Sequence, residues 1–440
     1  MAGNVHIRQP GLGLVHNTVP QAGACSLRDF GRGRRLMDKR INPAPGMNLP
    51  PPVEQTRNEV STSDGHGLRV ARNVTLKGSL LFLVVNLVFA WIYPVEALGR
   101  FSAYNHVFPG RVRLPYGDHP DQAYNLSVYN LEAMFASHQI SAGLKPEGEY
   151  RIFLIGDSST WGFLLPAEQT LSELMNHAEP TLADGRKVQV FNLGYPVMSL
   201  TKDLLILSYS LRYQPDLIIW LVTLESFPKD KQLFPPLLQN NPEPVVSLIE
   251  TYQLGLDPED PSFKWPHFWE RTLVGARRSL ADLFRLQLYG LLWLATGIDQ
   301  EIPISFIPRQ DDLSAELSFH NLNPPDLNEV DLSIDVITAG VVMAHPIPIW
   351  IVNEPMFVSQ GINSDIRYNF YYPQWAYDDY RAIMNEKSAQ ENWRYIDLWD
   401  SIPSSEFTNS AVHLSPSGSR QLATILLNKI TKILGISNGT

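Results

Sequence analysis

The chain has 440 residues, of which 44% are hydrophobic, 18% charged and 10% aromatic. That is too apolar for a disordered protein and too mixed for a polytopic membrane protein. A formal net charge of −10 argues against general nucleic-acid binding, and the single cysteine, Cys25, excludes an internal disulfide framework or a cysteine-based metal cluster.

Charge is unevenly divided along the chain. Residues 1–77 carry eleven Lys and Arg against five Asp and Glu, with Gly, Pro and Arg clusters at 31–35 and 48–54. They show no sustained periodicity and are expected to be disordered. The remaining residues carry 24 basic against 40 acidic side chains. Between the two lies the most apolar stretch, Ser79 to Tyr93, interrupted only by Asn86. With Gly78, Pro94 and Val95 it makes 18 residues, or about 27 Å of helix against a hydrocarbon core of about 30 Å. Trp91 and Tyr93 at its end suit an aromatic belt, while Arg69, Arg72 and Lys77 precede it. A membrane-spanning helix over 78–95 is therefore expected, with the N-terminus cytoplasmic and everything after Leu98 outside. Val95-Glu96-Ala97 also resembles a small-x-small cleavage site, so anchor and cleaved signal both stand as readings. Residues 96–148 read as a leading or linking segment.

From Glu149 onward, short β-branched runs alternate with helical patterns, which predicts an α/β fold with a parallel sheet. Strands are predicted at 151–155, 187–192, 217–222, 348–352 and 395–398, and helices around 167–177, 201–213, 329–344 and 417–434. The third strand, LIIWLV, is continuously apolar, as a central strand buried on both faces should be. A long excursion, about 228–325, separates the third and fourth strands. Within it, residues 286–298 are mostly apolar but too short to cross a bilayer. They suit a lid, an interfacial element near the membrane, or a helix covering the sheet. Residues 368–380 hold six Tyr and Trp, which suits either packing of a loop or a surface for sugar rings.

The first strand runs into Gly156-Asp157-Ser158-Ser159. A strand, a tight glycine turn and a helix place Ser158 at the carboxyl edge of the sheet, where open α/β sheets bind ligands. The second strand ends in Asn192-Leu193-Gly194, which sets the Gly194 backbone beside Ser158. Near the C-terminus, His413 stands just before a helix start, with Ser415 as N-cap and Pro416 at the first helical position. A histidine on such a loop suits a general base.

This set resembles the SGNH/GDSL family of serine esterases and acyltransferases over roughly 150–435. GDSS at 156–159 is similar to its first block, NLG at 192–194 to its second and HLSPSG at 413–418 to its last. The resemblance implies a flavodoxin-like three-layer sandwich with sheet order 2-1-3-4-5. It also implies Ser158 as nucleophile, His413 as base, and the Ser158 and Gly194 amides as oxyanion donors. Two departures stand out. The third family block ends in G-x-N-D, whereas this chain has Leu221-Val222-Thr223-Leu224-Glu225; Thr223, or Asn353 after the fourth strand, is the candidate replacement donor. The aspartate expected ahead of the histidine is replaced by Asn409, with Asp397 or Asp400 as alternative carboxylates.

Asp157 reads mainly as a loop-fixing residue, and Asn192, Glu225, Asn353 and Glu354 as further candidates lining the site. The histidines show no metal-ligand spacing and no phosphate-binding glycine loop is present, so no metal or cofactor is expected. The expected function is a membrane-anchored, extracytoplasmic serine ester hydrolase or O-acyltransferase. Its acyl-ester substrate would be small or a polysaccharide of the cell envelope, and its partners the membrane, through one helix, and a membrane acyltransferase. The alternative is a catalytically inactive relative that binds glycans or serves as a scaffold.

Overall fold

The computed structural model describes residues 64–437 apart from 109, 118, 326 and 435. The disorder expected of residues 1–77 lies, as far as 63, outside the described residues. Residues 64–77, by contrast, are helical. The chain divides into two units between Gly67 and Leu68, and the second holds every element below except the first turn of α1.

Helix α1 runs Asp64–Ile92. Its segment Gly67–Ile92, 26 residues with a mean hydropathy of 1.8, is long and apolar enough to cross a membrane. This apolar helix starts earlier and stops sooner than the 78–95 expected for a membrane-spanning helix. Helical backbone is disfavoured for the residue preceding a proline, and Tyr93, before Pro94, adopts φ +43°. Residues 96–148 form more than a linker: Leu114, Met134 and Phe135 are fully buried in the larger of two hydrophobic cores.

The sheet has seven strands: β1 (Glu149–Ile155), β2 (Thr181–Leu182), β3 (Lys187–Asn192), β4 (Leu217–Val222), β5 (Ile349–Asn353), β6 (Arg394–Asp397) and β7 (Ile436–Ser437). Their order is β6-β5-β4-β1-β3-β2-β7. The five longer strands pair in parallel, and counted alone they follow the expected order 2-1-3-4-5. The two-residue strands β2 and β7 extend the β3 edge in antiparallel pairing and are too short to show as sequence patterns.

Side chains alternate across the longer strands, so these feed two cores. Phe153, Ile155, Ile218, Trp220 and Ile351 face one layer; Ile152, Leu154, Ile219, Leu221 and Val352 face the other. Helix α2 (Ser158–Trp161) is a single turn after β1. On the second face lie α3 (Leu171–Asn176) and α8 (Pro416–Leu434), whose Leu171, Met175, Leu422 and Leu426 join that core. The first face carries α4 (Leu200–Ser210), α6 (Ile334–Ala344) and α7 (Gln374–Gln390). Helix α7 occupies the crossover between β5 and β6, where the sequence shows an aromatic run rather than a helical period. The excursion between β4 and β5 carries α5 (Arg277–Thr296), which begins well ahead of the apolar stretch 286–298 and stops just short of its end.

Candidate active site

The turn after β1 is built for close approach. A Cβ at Gly156 would lie 2.3 Å from Thr160 Oγ1 and 3.0 Å from the Leu221 carbonyl, so the chain turns there only as glycine. Asp157 caps α2: its Oδ1 accepts from the Ser159 amide at 2.8 Å. Ser158 therefore stands in the first helical position, half-buried, where a helix leaves its N–H without an intrahelical acceptor. Gly162, at φ +90°, ends the turn.

The sheet and the C-terminal loop bring three sequence-predicted residues into one line. His413 Nε2 is 2.8 Å from Ser158 Oγ, and His413 Nδ1 is 2.9 Å from Asn409 Oδ1. An amide oxygen only accepts, so Nδ1 carries the proton and Nε2 presents a lone pair to the serine hydroxyl. The loop holding them is tight: Thr408 donates to the His413 carbonyl through its amide at 2.9 Å and its hydroxyl at 3.1 Å. Ser415 and Pro416 begin α8 as expected, with Ser415 Oγ accepting from the Gly418 amide at 3.0 Å. Phe163 covers the imidazole at a ring separation of 4.9 Å. Burial disfavours the charged imidazole and lowers the His413 pKa to about 4.

The expected oxyanion donors other than the Ser158 amide have hydrogen-bond partners within the protein. The Gly194 amide donates to Asn192 Oδ1 at 3.0 Å, while Asn192 Nδ2 donates to the Thr160 carbonyl at 2.9 Å. Asn192 thus ties β3 to α2, and a Cβ at Gly194 would sit 2.5 Å from the Trp161 nitrogen. Thr223 Oγ1 pairs with the Tyr372 hydroxyl at 2.9 Å. Asn353 Nδ2 donates to Asp397 Oδ1 at 2.9 Å, and Asn353 Oδ1 accepts from Tyr377 at 3.2 Å. Asp397 also accepts from Arg381 Nε at 2.8 Å, and Asp400 is exposed; the imidazole partner is Asn409.

The further candidates fall into two groups. Glu225 pairs with Lys231 and, at 3.2 Å, with His320 Nε2. Glu354 lies fully inside, its Oε2 accepting from Ser159 Oγ at 2.6 Å. Behind it the sequence reading missed a buried ionic cluster. Lys202 Nζ donates to the Gly156 and Tyr195 carbonyls at 2.9 and 2.7 Å and pairs with Asp203 at 2.5 Å. Burial pushes the carboxyl pKa values of Asp157, Glu354 and Asp203 up, and Lys202 opposes that rise. The signal was present in α4, where Lys202-Asp203 sits in an otherwise apolar run. Two arginines were also missed, each reaching the site from a distant segment. Arg113 donates to the Gly162 carbonyl at 2.8 Å and forms a two-pronged pair with Asp299. Arg309 donates to the carbonyls of Phe407, Ser404 (2.6 Å) and, through its amide, Thr408 (3.0 Å). Neither has a local sequence signature.

The aromatic run is packing: Tyr372, Tyr377 and Tyr380 are fully buried. Among the described residues, no group of three or more His, Asp, Glu or Cys is arranged to hold a metal ion.

Taken together, a parallel sheet of core order 2-1-3-4-5, a serine directly after its first strand and a histidine ahead of its last helix define an α/β protein with a hydrogen-bonded serine–histidine site at the sheet edge. Similar solved structures include a lipolytic G-D-S-L family protein from Veillonella parvula, at 11% identity and TM-score 0.31 over 64% of this chain and 100% of that one. A lipase/acylhydrolase from Enterococcus faecalis is similar at 12% identity and TM-score 0.33, over 66% and 99% of the two chains. A carbohydrate acetylesterase family member from Sinorhizobium meliloti is similar at 12% identity and TM-score 0.29, over 65% and 99%. No family model matches the chain. No curated protein matches it in sequence either.

Proposed function

We propose that this protein is a serine ester hydrolase or O-acyltransferase, anchored in a membrane by α1 with its catalytic domain outside the cytoplasm. The observation that carries the reading is the continuous hydrogen-bonded line from Asn409 through His413 to Ser158. Ser158 Oγ attacks the acyl carbonyl while its proton passes to His413 Nε2, and the carbonyl π electrons move onto the oxygen. The Ser158 amide donates to that oxyanion. Collapse of the intermediate breaks the ester C–O bond, and His413 returns the proton to the departing alcohol. Water, or an acceptor hydroxyl, then attacks the acyl-serine with His413 again as base. Asn409 holds the imidazole in the productive tautomer; being neutral, it leaves the transient imidazolium without a carboxylate, as in Cys-His-Asn enzymes. This favours a slow esterase or a transferase over a fast general lipase. An envelope polysaccharide as acyl carrier, and a membrane acyltransferase as partner, fit a catalytic domain tethered beside a membrane.

Labelling with a fluorophosphonate tests the reading. A stoichiometric adduct on Ser158, absent in Ser158→Ala, is expected. An unlabelled Ser158 in folded protein would leave the glycan-binding or scaffold reading in its place. Transfer of the acyl group to an added sugar in preference to water separates transferase from hydrolase.

A further inference from the structure

Asn86 is the one polar residue in the apolar run 80–92, and esterase chemistry leaves it unexplained. In the structure it is buried, with Nδ2 donating to the Phe82 carbonyl at 2.9 Å and Oδ1 accepting from the Val274 amide at 3.1 Å. The excursion therefore touches α1 inside its apolar length. Arg271 lies 5.0 Å over the Tyr93 ring, a second contact at the end of the helix. From Tyr93 back to Asn86 is about 10 Å along a helix axis. Amphipathic elements lying in a bilayer surface settle about 5–10 Å into the boundary between headgroups and acyl chains.

Directly after that contact comes α5, which has two apolar faces. One packs inward through Leu286, Gly290 and Trp293, with Gly290 against the Tyr104 ring. On the opposite face Phe284, Leu288, Leu291 and Leu292 are 65%, 45%, 45% and 42% exposed. Just before the contact, Phe268 and Trp269 are exposed as well. Arg277 and Arg278 are exposed at the start of α5, which suits anionic headgroups. So large an apolar face is unusual on a water-facing surface. It continues from the side of a helix that is itself apolar on nearly every face.

We infer that α5 and the aromatic loop before it lie in the outer leaflet beside α1, forming a second membrane contact that seats the catalytic domain on the lipid surface. The inference rests on α1 spanning the membrane. The occupant is lipid, because the patch is joined to the spanning helix at a depth where acyl chains begin. The spare amide of Val274 and the oxygen of Asn86 satisfy each other there, as polar groups in hydrocarbon must. A domain seated in this way would hold its site near acyl donors or acceptors at the membrane face.

The test uses the full chain with Cys25→Ser, reconstituted in phosphatidylethanolamine/phosphatidylglycerol vesicles that carry nitroxide on the acyl chains. A fluorophore is attached at one of Val84→Cys, Phe284→Cys, Leu288→Cys or Ala389→Cys, and circular dichroism checks folding of each. Loss of fluorescence is expected at 84, 284 and 288, but not at 389 on α7. Quenching at 84 without quenching at 284 and 288 would overturn the inference and leave the spanning helix standing. No quenching at 84 would overturn the span and the inference with it. If 284 and 288 are shielded from aqueous iodide yet unquenched by lipid nitroxide, a protein covers the face and the inference also fails.

Discussion

Asn409 stands where a serine triad ordinarily has a carboxylate, and its chemistry shapes the expected pH behaviour. The neutral imidazole is the active base, so activity should fall as acid protonates His413. Its pKa is lowered by burial to about 4, which puts the acid limb of kcat/KM well below neutrality. Replacing Asn409 by Asp adds a negative charge beside Nδ1 and favours imidazolium, moving that limb to higher pH. A pH profile of ester hydrolysis for both proteins checks the direction; an unmoved limb would mean that another group titrates. Removing His413 or Ser158 should each cost about 10⁴-fold or more in kcat, and the double variant little beyond the worse single one.

At the scale of elements, the excursion between β4 and β5 acts as a frame for the site. Asp299 secures the Arg113 that holds the end of α2, and Arg309 grips the carbonyls of the loop carrying Asn409 and His413. Arg309→Ala should lower kcat by about 10–100-fold through a misplaced imidazole, with KM nearly unchanged, and Arg309→Lys should recover part of it. A loss confined to KM would show that the loop keeps its place without the arginine. The buried Lys202–Asp203 pair joins α4 to the turn below Ser158. Lys202→Met leaves a cluster of buried carboxyls without their cation and should destabilise the fold by about 3–5 kcal/mol, as read by denaturant unfolding.

For the whole molecule, one apolar helix adjoins an acidic α/β domain. The single thiol, Cys25, offers a direct check of orientation, since it lies on the basic side of α1. A membrane-impermeant maleimide should label it only after the cells are permeabilised. Labelling in intact cells would reverse the topology and place the Ser158 site in the cytoplasm.

The local features of the fold and site were legible in the sequence because they depend on residues close together in the chain. The period-2 and continuous apolar runs marked all five parallel strands. Gly156-Asp157-Ser158 announced a tight strand-to-helix turn, and Ser415-Pro416 a capped helix start. The pairing of Asn409 with His413 lay within one turn of chain. What tertiary structure alone decided were the competitions for polar partners. Thr223 was a reasonable oxyanion donor in sequence, but folding sets its hydroxyl against that of Tyr372, 149 residues away. Arg113 and Arg309 gain their roles only when distant carbonyls converge, and no spacing rule encodes that. Asn86 carried the same lesson: its burial depended on an amide 188 residues away. Buried polar groups must be satisfied, but which partner satisfies them is settled by the fold.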